Sequence, residues 1–187
     1  MKYLVAGLGN FGEKYKNTRH NIGFTVLDAL ASASNIFFRD TRYAFRGELK
    51  YKARTLILIK PTTYMNLSGL AVNYWLKNEK IPLENLIVVV DDIALPFGSI
   101  RLKPKGGDAG HNGLRNITEI IGTQDYPRLR FGIGNDFFSG QQANYVLSPW
   151  DFEETKNLQA RVEIAVEVIK SFATKGLQNT MNEFNNK

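Results

Sequence analysis

Residues 1–24 read MKYLVAGLGNFGEKYKNTRHNIGF, and this stretch changes character three times. Lys2 to Leu8 is a short, mostly apolar run of the kind that makes a buried strand. Gly7 to Gly12 follows as a glycine-rich turn. Thr18-Arg19-His20-Asn21 then sets four polar side chains just ahead of an apolar-periodic segment. In that segment, from about Asn21 to Ser34, Phe24, Leu27, Leu30 and Ala31 share one helical face. Strand, glycine turn and polar cluster in this order are how an open α/β sheet presents a site at the carboxyl ends of its strands.

The rest of the chain extends that sheet. Arg42–Leu49 and Arg54–Ile59 read as an antiparallel pair, with Lys60-Pro61 expected to stop the second strand, since proline lacks a ladder donor. Thr62 or Thr63 is placed to cap the next turn. A helix over about Asn66–Lys77 should carry Leu67, Leu70, Ala71, Tyr74 and Trp75 inward. Leu86 to Val90, LIVVV, is uninterrupted and β-branched, the signature of a strand covered on both faces, and it ends in Asp91-Asp92. Ser99–Lys103 and Arg128–Ile133 are further strands, and Leu114–Ile121 a short helix. The glycine-rich segment 104–113 is irregular, and 135–143 reads as a mobile flap around Phe137-Phe138. Ser148-Pro149-Trp150-Asp151 predicts a helix start with Ser148 as N-cap. That helix should run to about Phe172 on a stripe of Phe152, Leu158, Val162, Ala165, Ile169 and Phe172, with a short helix after Gly176. No linker or repeat divides the chain. The expectation is one α/β domain over residues 1–187, a twisted mixed sheet with helices on both faces.

Composition narrows the chemistry. The 187 residues are 43% apolar and 22% charged, values of an ordinary globular protein. Cysteine is absent, which removes disulfides, thiolate metal sites and cysteine nucleophiles and fits a reducing cytosol. The two histidines are far apart in sequence, so no metal-ligand spacing exists, and no metal or cofactor is expected. No apolar run is long enough for a bilayer span or a signal segment, so no membrane association and a cytoplasmic location are expected. The net charge of +6 favours a polyanionic partner.

Gly7-Leu8-Gly9-Asn10-Phe11-Gly12 matches the dinucleotide fingerprint letter for letter. That fingerprint needs a helix opening at the glycines, whereas Glu13 to Asn17 is polar and aperiodic. Dinucleotide binding is therefore an alternative reading, beside glycines that simply permit a tight positive-φ turn. His20 is the sharper signal. It precedes the first helix in a polar segment and suits a general base, with Asp91, at the end of the most strand-like run, as its orienting carboxylate. Asn10, Asn66 and Asn112 each follow a strand, break or glycine loop, where a neutral carboxamide can hold a carbonyl or ribose hydroxyl without shifting a nearby histidine. His111 is either a second acid–base group or a backbone-positioning residue. With no GxSxG elbow, P-loop or zinc pattern, activated water is the expected nucleophile. Arg101, Lys103 and Lys105 alternate onto one side ahead of the glycine loop. With Arg128 and Arg130, and extended by Lys14, Lys16 and Arg19, they form a surface suited to phosphates. A non-catalytic RNA-binding module would also explain that surface.

At these residues the chain resembles bacterial-type peptidyl-tRNA hydrolases. The segments carrying the resemblance are VAGLGNFGEKYKNTRHNIGF, KPTTYMNLSG, VVVDDIALPFG, RLKPKGGDAGHNGL and YPRLRFGIG, spread through most of the chain. The resemblance implies a single-domain α/β enzyme that hydrolyses the ester between a peptide and the 3′ ribose of tRNA, without metal or cofactor. It implies His20 as catalytic base and Asp91 as its orienter. It implies Asn10, Asn66 and Asn112 as substrate-positioning, together with Tyr15, Tyr64 and Met65, and Arg101, Lys103 and Arg130 as tRNA-contacting. The implied partner is peptidyl-tRNA, bound through its acceptor end and phosphate backbone, with no obligate protein partner. The chain departs from the family pattern at Arg101, at Asp108 in the glycine loop, and at Asn135-Asp136.

Overall fold

A computed structural model describes residues 1–185 and 187. Strands β1 (Lys2–Gly7), β2 (Arg39–Asp40), β3 (Ala44–Tyr51), β4 (Arg54–Pro61), β5 (Leu86–Asp92), β6 (Ile100–Lys103) and β7 (Arg128–Gly132) form one sheet in the order β2-β3-β4-β1-β5-β7-β6. β1 runs parallel to β4 and β5, and β5 parallel to β7. The edges are closed antiparallel by β2–β3–β4 on one side and β6–β7 on the other. The helices are α1 (Ile22–Ala33), α2 (Ser68–Asn78), α3 (Asn112–Ile121), α4 (Gln142–Val146), α5 (Phe152–Lys175) and α6 (Leu177–Phe184).

The period of two along each inner strand sorts side chains into two cores. Tyr3, Val5, Leu56, Leu58, Ile87 and Val89 pack with α1 and α5 on one face. Leu4, Ala6, Ile57, Ile59, Val88 and Val90 pack with α2 and α3 on the other. Burying both faces explains the unbroken LIVVV run, and every residue of β5 is buried. The mixed sheet with helices on both faces is the expected architecture.

Several local expectations give way to particular contacts. β4 continues through Pro61, opposite Ala44. The β1–β4 register ends at Ile59, so the donor that proline lacks would face no partner in β1. Neither Thr62 nor Thr63 caps a helix: the turn at 65–67 and α2 both start without a side-chain cap. Leu67 and Leu70 are exposed, while Ala71, Val72, Trp75 and Leu76 face the core. Phe152 is exposed rather than part of the α5 stripe. The N-cap of α5 is Asp151, not Ser148. Asp151 accepts from the Glu154 N–H at 2.8 Å, and Glu154 accepts from the Asp151 N–H at 2.9 Å, a reciprocal capping box. Ser148 is occupied elsewhere, donating to the Tyr145 carbonyl and accepting from Arg19. In the expected flap, Phe137 packs on Tyr145 with centroids 5.0 Å apart, while Phe138 is exposed.

Candidate active site

β1 and α1 cross at unusually short range. A Cβ on Gly7 would lie 2.3 Å from the Gly23 carbonyl oxygen, and one on Gly23 would lie 2.3 Å from the Leu8 nitrogen. Gly7 and Gly9 thus serve close approach, and only Gly12 of the three turn glycines has positive φ, at 101°. The segment after Gly12 makes a single 3-10 turn at 13–15, and α1 begins only at Ile22. It continues the 3-10 turn 19–21, whose Arg19 carbonyl takes the Ile22 N–H, and the Asn21 side chain ties that turn to β1's end, accepting from the Asn10 N–H at 2.8 Å and donating to the Asn10 carbonyl at 2.9 Å. No helix opens at the glycine turn, so it lacks the adjoining helix terminus that a pyrophosphate requires, which removes the dinucleotide reading.

The same crossing brings His20 to the end of β5. The turn Arg19–Asn21 delivers the imidazole so that Nδ1 lies 2.9 and 2.8 Å from the two Asp91 carboxylate oxygens. An ionised carboxylate only accepts, so Nδ1 carries the proton and Nε2 keeps a lone pair. Burial of His20 opposes its charge, but the field of Asp91 and the hydrogen bond to it outweigh this, and its pKa is raised above the ordinary 6.5. Asp91 is itself buried, which favours the neutral acid. The two histidines facing it reverse that effect and hold its carboxyl well below the usual carboxylate range.

His111 is the second of those histidines. Its Nε2 lies 2.9 Å from Asp91 Oδ1, and its Nδ1 accepts from the N–H groups of Gly113 at 3.1 Å and Leu114 at 3.4 Å, capping α3. A nitrogen accepting two backbone donors carries no proton, so Nε2 donates to Asp91. Both ring nitrogens are committed, which leaves His111 no free lone pair for proton abstraction in this arrangement. His20, Asp91 and His111 offer ligand atoms within 4.8 Å of one another, a cluster hidden in sequence by the distance between the histidines. A cation on His111 Nε2 would move the proton to Nδ1, against the Gly113 and Leu114 donors. The residues present thus suit a hydrogen-bonded trio and do not fit a resident metal.

Asn10 is buried, and its Oδ1 accepts from the Met65 N–H at 2.7 Å. Because Met65 supplies the hydrogen, the carboxamide orientation is determined, and Nδ2 is left as a donor. Among the described residues it has no protein partner, and Asn10 lines the cavity beside His20. Asn66, in the turn 65–67, and Asn112, the first residue of α3, are exposed and line the same cavity of about 1100 Å³. Tyr15, Tyr64 and Met65 line it too.

The basic residues divide into distinct roles. Lys103 and Lys105 line the cavity. Arg101 is exposed on the edge strand β6, opposite Arg130 and outside the lining. Arg130 lines the cavity but pairs with Asp92. Arg128 also borders the cavity but is buried, and it donates to the carbonyls of Gln124 at 2.8 Å and Gly107 at 3.3 Å. It anchors the glycine loop and presents little to a phosphate. Asp108 serves the same loop, accepting from the Gly110 N–H at 2.8 Å. Arg19, expected on the phosphate surface, is buried against Glu154, Ser148 and the Tyr145 ring. Reading residues singly missed Arg19, Asn21 and Arg128 as scaffold. Their only sequence signal was position beside a site residue or a glycine loop.

Among the described residues, no helix is long and apolar enough to cross a membrane. Residues 4–187 match the model of the peptidyl-tRNA hydrolase family. The chain is 61% identical to a peptidyl-tRNA hydrolase of Phocaeicola vulgatus and 58% identical to one of Bacteroides fragilis, in each case over the full length of both chains. Its backbone is similar to a crystal structure of peptidyl-tRNA hydrolase from Acinetobacter baumannii, with a TM-score of 0.92 and 32% identity. That match covers 98% of this chain and 94% of the other.

Proposed function

The chain belongs to the peptidyl-tRNA hydrolase family, and from that premise we propose how its residues perform the reaction. The protein hydrolyses peptidyl-tRNA, acting as a carboxylic ester hydrolase on the bond between peptide and tRNA. In our reading, His20 Nε2 takes a proton from a water molecule as the water oxygen attacks the ester carbonyl. Asp91 keeps the Nδ1–H tautomer and stabilises the imidazolium as it forms. The tetrahedral intermediate collapses with loss of the ribose 3′ oxygen, which receives the proton back from Nε2. Free peptide acid and tRNA result, and His20 is restored. A positioned base of this kind is worth about 10² to 10⁴ in rate.

Asn10 Nδ2 is the donor we assign to the developing oxyanion, since its partner atom Oδ1 is already spent on Met65. Asn112 would hold the ribose end and Asn66 the peptide backbone. Lys103 and Lys105, supplemented by Arg101 and Arg130, would meet the tRNA phosphates near its acceptor end. The expected compartment is the cytoplasm, where translation supplies the substrate. A non-catalytic RNA-binding role would leave the His20–Asp91–His111 trio without a purpose.

The observation that carries this reading is the hydrogen bond from His20 Nδ1 to Asp91 at 2.8 Å, which leaves Nε2 as a free base at the cavity. The test is release of tRNA from N-acetyl-aminoacyl-tRNA in EDTA by wild type and His20→Ala. Wild type should release tRNA, and the variant should be slower by at least about 10² while keeping its circular dichroism spectrum. Comparable rates would overturn the base assignment.

A further inference from the structure

α2 starts without a side-chain cap from its own segment. Its second residue, Gly69, still has its backbone N–H satisfied, by Asn116 Oδ1 of the neighbouring helix α3 at 2.8 Å. The first turn of a helix carries N–H groups with no partner inside it, and here one of them is met across a helix contact. The contact requires glycine. A Cβ on Gly69 would lie 2.7 Å from the Asn116 carbonyl oxygen and 2.8 Å from its Oδ1. Asn116 itself is half-buried and outside the cavity lining.

What this bond holds is the turn ahead of α2. Asn66 precedes Gly69 by three residues and is exposed at the cavity, so its side chain is only as well placed as the backbone on either side. On one side Met65 is fixed. Its N–H donates to Asn10 Oδ1 at 2.7 Å, and its sulfur lies where a Cβ on Gly113 would come within 2.7 Å. On the other side, Ser68 Oγ donates to the Met65 carbonyl at 2.7 Å, a bond inside the same turn. The Asn116 bond ties that end to α3. α3 in turn is referenced to the catalytic centre, since His111 caps its start and bonds to Asp91. Asn116 follows Asn112 by about one helical turn, so the same bond fixes Asn66 relative to Asn112.

We infer that Asn116 is a positioning residue for the reaction: through its bond to Gly69 it holds Asn66 in register with Asn112 and His20. This rests on the hydrolase reading above and on Asn66 as a contact to the substrate. A displacement of about 1 Å is enough to spoil a positioned contact, and without this bond the turn 65–67 is anchored at Met65 but not at Gly69. The bond uses the oxygen of the carboxamide. Aspartate therefore keeps the acceptor, whereas leucine, of similar size, removes it.

The experiment measures kcat/KM for tRNA release from N-acetyl-aminoacyl-tRNA by wild type, Asn116→Leu and Asn116→Asp, each with and without Asn66→Ala, and follows hydrogen exchange of the Gly69 amide by NMR. Asn116→Leu should lower kcat/KM by about three- to tenfold and speed Gly69 exchange, while Asn116→Asp should stay within about twofold of wild type on both. In the Asn66→Ala background the leucine substitution should cost less than about twofold, because the side chain it misplaces is gone. An equal loss in both backgrounds would make Asn116 a merely structural residue and overturn the inference. A loss shared by Asn116→Asp would overturn it too, as would full activity of Asn116→Leu with Gly69 exchange accelerated. Failure of wild type to release tRNA would instead sink the hydrolase reading, and this role with it.

Discussion

Arg19 Nη2 and a carboxylate oxygen of Glu154 lie 2.7 Å apart, with both side chains largely buried, and Arg19 is the residue before His20. The pair joins the turn that carries His20 to the start of α5. Arg19 also donates to the Pro149 carbonyl at 2.8 Å, and its guanidinium lies 4.4 Å from the Tyr145 ring centre. The His20 turn is thus held by a chain segment more than a hundred residues away.

Removing one member of such a pair leaves the other charge buried. Arg19→Met should destabilise the protein by about 3–5 kcal/mol, because the Glu154 carboxylate loses its cation. Calorimetry should show a clear fall in Tm. Adding Glu154→Gln should restore part of it, since the neutral amide can still accept from the Asp151 N–H and no unpaired charge remains.

The pH dependence of kcat/KM should have its acidic limb above 6.5. Protonated His20 cannot accept a proton from water, and its pKa is raised in the folded protein, so activity falls as pH drops through that raised value. Asp91→Asn removes the carboxylate whose field and hydrogen bond outweigh burial. The limb should then move below its wild-type position while the plateau rate drops, because the tautomer is no longer held. A limb that stays in place would show that Asp91 does not set the charge of His20.

Asn10→Asp is nearly isosteric and separates two jobs of one carboxamide. Its oxygen can still accept from the Met65 N–H, but the Nδ2 donor is lost and a negative charge faces the developing oxyanion. The expected loss is about 10² to 10³ in kcat with little change in Tm. A full rate would move the oxyanion donor to another residue.

Lys103→Ala should weaken tRNA binding and reduce the slope of log affinity against log salt by about one. Arg130→Ala should reduce it less, since Asp92 already neutralises that guanidinium. Arg128→Ala should act on stability instead, because its donors hold the carbonyls of the glycine loop.

Periodicity and turn chemistry were legible wherever the cause was local. LIVVV demanded a doubly covered strand, and α1 followed from its apolar face. His20 and Asp91 stood out by position, one ahead of α1 and one at the end of β5, whereas each asparagine alone reads as a cap or turn residue and gains a positioning role only through the family resemblance. The cap of α5 lies three residues beyond Ser148, at Asp151, because the Asp151–Glu154 capping box closes there while Ser148 is held by Arg19 and the Tyr145 carbonyl.

By itself, then, the sequence determined the mixed sheet and the order of its main strands and helices, though not β2 or α4, and it singled out His20, Asp91 and three asparagines as candidates for the chemistry. These depend on the spacing of apolar positions and on residue types, which survive in one dimension. Tertiary structure alone decided that His111 shares Asp91 with His20, that Asn10 Oδ1 is taken by the Met65 N–H, and that Arg19 and Arg128 are buried in contacts with other parts of the chain. Each of these depends on which hydrogen-bond partner occupies a given atom. That partner comes from a strand or helix distant in sequence, so only the closed fold brings the two together.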